Sequence, residues 1–146
     1  MENQEQKPQP TQAEIQAAQN EWIRSTLARA NKHFAEKGVI PKTILDKESR
    51  YIAPMCAIWK IKSQQGKTYW VVSGNLPTDH VEVTAATNAR DALRHFSFQW
   101  QLKADQLAKN SAGDKAQIDF ANLLVNRAEG LYDLYSNEKL WTNEPK

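Results

Sequence analysis

One stretch limits the fold more than any other. In residues 55–62, Met55, Ala57, Trp59 and Ile61 alternate with Cys56, Ile58, Lys60 and Lys62. A period of two belongs to a strand, whose successive side chains point to opposite faces. Ser63-Gln64-Gln65-Gly66-Lys67 follows as a hairpin loop, and residues 68–73, rich in aromatic and β-branched types, return as a second strand. Gly66 suits a positive φ. A three-residue loop with Gly66 as the bulge pairs Ser63 with Lys67. That register sets Trp59 opposite Val71 and Ile61 opposite Tyr69 on one face. Ile58 then lies opposite Val72, and Lys60 opposite Trp70, on the other. A four-residue loop would pair Trp59 with Trp70 instead. One residue of slip moves a strand's side chains to the wrong face, and the glycine favours the first register.

The flanks read as helices. Thr11 with Glu14 three residues on is a capping box, and the helix it opens runs to about Lys37, where Gly38 fits a left-handed C′ position and Pro41 lies beyond. Its apolar stripe is Ile15, Trp22, Ile23, Leu27, Ala30 and Phe34. In residues 39–53, Ile40, Ile44 and Leu45 anchor either a short helical turn or a packed loop. Residues 80–84, with Val81 and Val83 on one side, read as a third strand. Thr87 or Asn88 caps a second helix carrying Leu93, Phe96, Trp100, Ala104 and Leu107. A third helix starts near Asp114, with a stripe of Ile118, Ala121, Val125, Ala128, Tyr132 and Tyr135. Gly130 inside it costs roughly 1 kcal/mol against alanine and allows a break. Leu140 and Trp141 are placed to fold back. The expectation is an α+β fold: a three-stranded antiparallel meander packed by an N-terminal helix and two C-terminal helices. Residues 1–10, rich in Gln, Glu and Pro, read as a disordered tail, 11–141 as a single domain and 142–146 as a frayed end.

Composition excludes several classes. A chain of 146 residues has room for one ordinary core. The single cysteine, Cys56, rules out an intramolecular disulfide and a multi-cysteine zinc site. A net charge of +2 is too balanced to name a polyanionic partner. There is no apolar run of about 18 residues to span a membrane, and the opening MENQEQKPQP lacks the apolar region of a secretory signal. A cytoplasmic location is expected.

The densest polar group lies in residues 73–80. Ser73, Asn75, Thr78, Asp79 and His80 project where two strands end, a place from which a rigid scaffold can aim side chains. The competing explanation is turn chemistry, since the same residue types bond to nearby backbone. Trp70, paired with Lys60 on the less covered face, is a candidate contact anchor, unless helices cover both faces and every tryptophan is core. Cys56, Asp79 and His80 are the types of a cysteine hydrolase, but Cys56 sits in an apolar strand where cysteine is an inert small hydrophobe. Asp79 and His80 are strand neighbours aimed at opposite faces, which is no evidence of a dyad. No metal site and no cofactor are expected: His33, His80 and His95 are isolated in sequence, and a solvated strand face explains His80 with Glu82. Between positions 24 and 50 lie Arg24, Arg29, Lys32, Lys37, Lys42, Lys47 and Arg50, interrupted by Glu36, Asp46 and Glu48. A solvated face is preferred there over a track for single-stranded nucleic acid.

The stretch from Lys47 to Trp100 resembles a family of small bacterial proteins of unknown function, the likeness being carried by KESRYIAPMCAIWKIK, GKTYWVVSGNLPTDHV and NARDALRHFSFQWQLKA, the last of which runs on to Ala104. The resemblance implies a single soluble cytoplasmic bacterial domain and no particular chemistry. The leading functional expectation is a non-catalytic module that binds a partner protein through the hairpin and residues 73–80. Trp70, Ser73, Asn75, Thr78, Asp79 and His80 are its contacts. The alternative is a small-molecule binder or enzyme using His80 with Asp79 or Glu82, recognisable by a cavity at His80. Composition leaves a homodimer open.

Overall fold

The structure, a computed structural model, describes residues 8–142. Most of the expected tail, and all but Thr142 of the expected frayed end, lie outside the described residues. Helix α1 (Gln12–Glu36) starts where the capping box puts it: the Thr11 side chain accepts from the Glu14 N–H at 3.1 Å. It ends at Lys37, with Gly38 at φ +74°. The first ten residues of α1 are exposed all round. Ile15 is therefore not part of the buried stripe, which begins with the half-buried Trp22 and Ile23 and closes on Ala30 and Phe34.

The sheet is antiparallel and has five strands rather than three. Strands β1 (Pro41–Ile44) and β2 (Arg50–Ile52) come from the stretch expected to be a helical turn or loop. Both lie along one edge of β3 (Cys56–Ser63), while β4 (Thr68–Gly74) and then β5 (Asp79–Glu82) complete the other side. The physical reason is the outer edge of β3. Its backbone groups are buried and need partners. β1 serves Ile61, Lys62 and Ser63, and β2 serves Cys56, Ala57 and Ile58. Lys60, in the gap, is also satisfied: its carbonyl accepts from Leu45 N at 2.8 Å, and its N–H donates to Ser49 Oγ at 2.9 Å. A short 3-10 turn, Asp46–Glu48, joins the two strands.

The β3–β4 register is the one the Gly66 bulge requires. Trp59 pairs with Val71, Ile61 with Tyr69, Ile58 with Val72 and Lys60 with Trp70. Gly66 has φ +89°, and Ser63 N donates to Lys67 O at 2.7 Å. Gly74, at φ +136°, is required for a different reason: a Cβ there would stand 2.6 Å from the Met55 carbonyl oxygen and 2.8 Å from Cys56 Cα.

Helices cover both faces. On one, α1 lays Ala30 and Phe34 over Ala57, Trp59, Ile61, Tyr69 and Val71. On the other, α2 (Ala89–Asn110) and α3 (Lys115–Ser136) pack Leu93, Phe96, Trp100, Leu124 and Leu131 against Cys56, Ile58, Trp70 and Val72. Asn88 caps α2 by accepting from Asp91 N at 2.8 Å, and Asp114 caps α3. The buried stripe of α3 is Ala121, Leu124, Ala128 and Leu131. Ile118, Val125 and Tyr132, expected inside, are 37–42% exposed. Apolar residues occupy more than one side of α3, so its periodicity did not single out the inward one. No break occurs at Gly130. A Cβ there would stand 2.7 Å from Met55 Cε, so the missing side chain makes room for Met55 instead. After α3, Trp141 folds back as expected and donates its indole N–H to Leu134 O at 3.0 Å.

Candidate functional site

The site begins with an edge strand. His80 pairs with Val71 and so faces α1; Asp79 pairs with Val72 and faces α2. Neighbours on a strand thus reach opposite helical layers, as strand geometry demands. At the sheet's edge nothing separates the two layers, and both side chains reach the same space.

On the α1 side the His80 ring meets Phe34 and Tyr69 edge-on, with centroids 5.5 and 5.4 Å away. It also meets a second imidazole. His33, in the last turn of α1, places Nε2 2.7 Å from His80 Nδ1. At that distance one ring nitrogen donates its N–H and the other accepts on a lone pair, so at least one ring is neutral. Burial lowers the pKa of both histidines, and for His33 the neighbouring His80 charge adds to it; Asp79 pulls each the other way without cancelling the effect. The pair therefore favours its uncharged form near neutral pH.

On the α2 side the Asp79 carboxylate is held by two donors. Its Oδ1 accepts from the His80 backbone N–H at 2.8 Å, and its Oδ2 from the Trp100 indole N–H at 2.9 Å. No hydrogen bond joins it to either imidazole among the described residues. One atom from each of His33, Asp79 and His80 nevertheless lies within 4.8 Å of the others. The three groups line a cleft of about 440 Å³ whose walls include Thr78, Trp100, Phe120 and Leu124, with Lys37 and Lys103 at the sides. A smaller depression with Arg29 and Lys32 adjoins it and shares His33, Glu36 and Thr78.

The expected contact residues divide into two groups. Thr78, Asp79 and His80 stand on the cleft. Trp70 and Ser73 do not reach any surface, being 1% and 0% exposed. Trp70 lies under the two-helix layer, with its indole N–H on Ala86 O at 3.0 Å and the Lys60 ammonium 5.3 Å from its ring. Both faces are covered, which removes the exposed anchor. Ser73 Oγ accepts from Trp59 Nε1 at 3.0 Å and donates to Thr26 O at 2.8 Å, tying the sheet to α1. Asn75 is exposed, but its backbone N–H is spent on Met55 O at 2.9 Å and it is not among the cleft residues. Glu82 pairs with Lys67 across the strand ends at 3.5 Å.

Cys56 is fully buried and its thiol is pushed up to about 12 by desolvation, which leaves no thiolate for nucleophilic work. The basic residues of positions 24–50 do not form one track. Arg24 faces Glu21, Arg29 donates to the Gly74 carbonyl, and Arg50 donates to Leu140 O and lies over Trp141. Another hollow, of about 430 Å³, lies beside the start of α2. Of its polar groups, Thr87 donates to Asp91 at the start of the helix and Arg94 covers Phe98; Thr84 and His95 also line it.

His33 is the residue that sequence reasoning missed as a partner. It is 47 positions from His80, on a different element type, and no local pattern links the two. Its one available signal was its place beside Phe34 at the buried end of the α1 stripe.

No helix among the described residues is long and apolar enough to cross a membrane. No curated protein and no solved structure matches the chain. A model of a domain of unknown function, DUF4826, matches residues 16–141, from the exposed part of α1 to the Trp141 that folds back on the core, and the chain belongs to that family.

Proposed function

We propose that this domain binds a small anionic organic molecule in the cleft between α1, β5 and the α2–α3 layer. The observation that carries the reading is the imidazole pair. Two histidines from separate elements meet at 2.7 Å on the wall of a cleft of about 440 Å³. The two ring nitrogens outside that hydrogen bond are, in the neutral pair, one donor and one acceptor. Arg29, Lys32, Lys37 and Lys103 outnumber Glu36 and Asp79 around the combined hollow, which favours an anion. Trp100, Phe120 and Leu124 supply the apolar wall that such sites use for most of their contact. An enzymatic form of this reading gives His80 the proton-transfer role, with His33 rather than Glu82 beside it. A bacterial, cytoplasmic protein fits the reading, the lone buried cysteine being at home in a reducing compartment.

The test uses the Trp100 indole N–H, which is anchored on Asp79, as a reporter. A library of small carboxylates and phosphates is added to the full chain in EDTA-containing buffer and followed by two-dimensional NMR. Ligands should shift the Trp100 indole signal and the amides of Thr78, Asp79 and His80, and His80→Ala should abolish the response. Hits that map elsewhere, or no hit either in EDTA or with a divalent ion added, would remove the reading.

Binding of a partner protein is the second reading, on a different surface from the one expected. Phe98 and Leu102 of α2 and Val125 and Tyr132 of α3 are exposed, and Phe98 stacks on Tyr132 at 6.1 Å. A second copy of the chain is the simplest occupant. Light scattering over a concentration series tests it: Leu102→Glu should lower an apparent mass above that of the monomer, and a monomer at every concentration would end it.

A further inference from the structure

We propose that His33 Nε2, His80 Nδ1 and the Asp79 carboxylate bind a divalent transition-metal ion of the zinc class, with its open coordination side toward the cleft. This deepens the cleft reading: the ion is the anchor for the anionic end of the bound molecule.

The donor set is the first argument. Two imidazole nitrogens and one carboxylate suit zinc, cobalt or iron(II), whereas calcium and magnesium take oxygen donors. Three protein ligands also leave at least one position for an outside molecule, as in catalytic zinc sites. The second argument is placement. All three residues are half-buried, and their donor atoms lie within 4.8 Å of one another. They stand on a helix and an edge strand of the packed fold rather than on a loose loop. The third is the support of the carboxylate. Trp100 Nε1 and the His80 backbone N–H each hold one Asp79 oxygen, and each oxygen keeps a further lone pair. Partners of this kind fix a ligand's direction before the ion arrives.

The imidazole pair must rearrange in a defined way. Its hydrogen bond uses one N–H and one lone pair; ligation needs both lone pairs. The donor ring moves its proton to its other nitrogen, so no proton leaves the neutral pair. Two nitrogens each about 2.05 Å from a tetrahedral ion stand about 3.3 Å apart. The present separation is 2.7 Å, so the rings open by roughly 0.6 Å, which rotation of two side chains can supply.

The experiment titrates the full chain, stripped with chelator, with Co²⁺ followed by visible absorption, and with Zn²⁺ by calorimetry. One equivalent should bind, with cobalt bands of a four- or five-coordinate site. His33→Ala and His80→Ala should each weaken binding on the order of 100-fold or more, since loss of a supporting residue alone costs about 10–100-fold. Trp100→Phe, which keeps every ligand, should weaken it about 10-fold. His95→Ala should leave it unchanged. Binding that survives both His33→Ala and His80→Ala, or no binding at all, overturns the proposal. Should a variant fail to fold by circular dichroism, the unmodified chain still decides. Zn²⁺ must shift the ring nitrogens of His33 and His80 in a long-range ¹H–¹⁵N spectrum and leave those of His95 in place, and the reverse pattern is a refutation. The two ideas fail separately. Small-molecule binding in EDTA without metal uptake leaves the cleft reading and removes the ion. Metal uptake with no small-molecule binding, with or without the ion, does the opposite.

Discussion

The two faces of the sheet are built differently. Under α1 the core is a single layer, in which Phe34 and Ala30 cover five residues of the hairpin. Under α2 and α3 it is a double layer with three tryptophans, Trp70, Trp100 and Trp141. The polar groups differ too. The α1 face contains the Trp59–Ser73–Thr26 relay, which ties strand to helix. On the other face Ser97 donates to Ala128 O at 2.7 Å, which ties helix to helix. The candidate site belongs to neither face alone. It lies where the layers end, because β5 is an edge strand and sends one residue to each side. A central strand could not have done so, since the sheet itself would have kept Asp79 and His80 apart.

The largest expected effect tests the double layer. Trp70→Ala should destabilise the fold by about 3–5 kcal/mol, the usual cost of emptying an aromatic core site, measured by urea denaturation. If stability is unchanged and a binding partner is lost, Trp70 is the surface anchor its sequence context suggested. Gly74→Ala should cost about 3 kcal/mol, because its φ is hostile to a side chain and the Met55 backbone blocks the added carbon. Gly130→Ala makes a sharp contrast. The clash there is with the end of the flexible Met55 side chain, and alanine favours helix, so the change should lie within about 1 kcal/mol. An equal penalty at both glycines would show that the Met55 side chain is as fixed as its backbone.

Ser73→Ala tests the α1 face. It strands the Trp59 indole inside the core, takes an extra donor from the Thr26 carbonyl, and should cost about 1–3 kcal/mol. Ser97→Ala leaves one carbonyl without its extra donor and should cost less, about 1 kcal/mol. The reverse order would undo the contrast between the faces.

The smallest effect is in pH. Burial lowers the folded-state pKa of His33 and His80 below the ordinary 6.5. Below about 6.5 the unfolded chain binds protons that the folded chain refuses, so stability is full above that pH and falls as acid is added toward the lowered values. Denaturation in chelator-containing buffer should show this slope, and His33→Ala should flatten it. A slope unchanged in His33→Ala would mean that other groups control the acid side.

Much of the architecture was legible from local pattern. The period-two hairpin, its Gly66 bulge, the cap at Thr11, Asn88 as one of two candidates for the α2 cap and the start of α3 near Asp114 depend on neighbours within a few residues, and each appears in the structure. The candidate site was half legible. Thr78, Asp79 and His80 announced themselves by residue type in a turn between strands, but the same turn suggested Ser73 and Asn75, which serve the scaffold instead. Strands β1 and β2 were missed because their short segments have little pattern of their own; they are strands because the outer edge of β3 needs hydrogen bonds.

What the sequence by itself determined is therefore what short-range chemistry decides: the types of the longer elements, the conformation of the hairpin turn and the hairpin register, all set by side-chain period and by glycine's freedom at one or two positions. The tertiary structure alone decided which apolar residues are inside where the pattern left a choice of face. It put Trp70 under a second helical layer and turned Ile118, Val125 and Tyr132 of α3 outward, because burial depends on which faces find partners. It alone also brought His33 to His80. A contact across 47 residues follows from the angle at which α1 crosses the sheet, and no spacing in the chain encodes that angle.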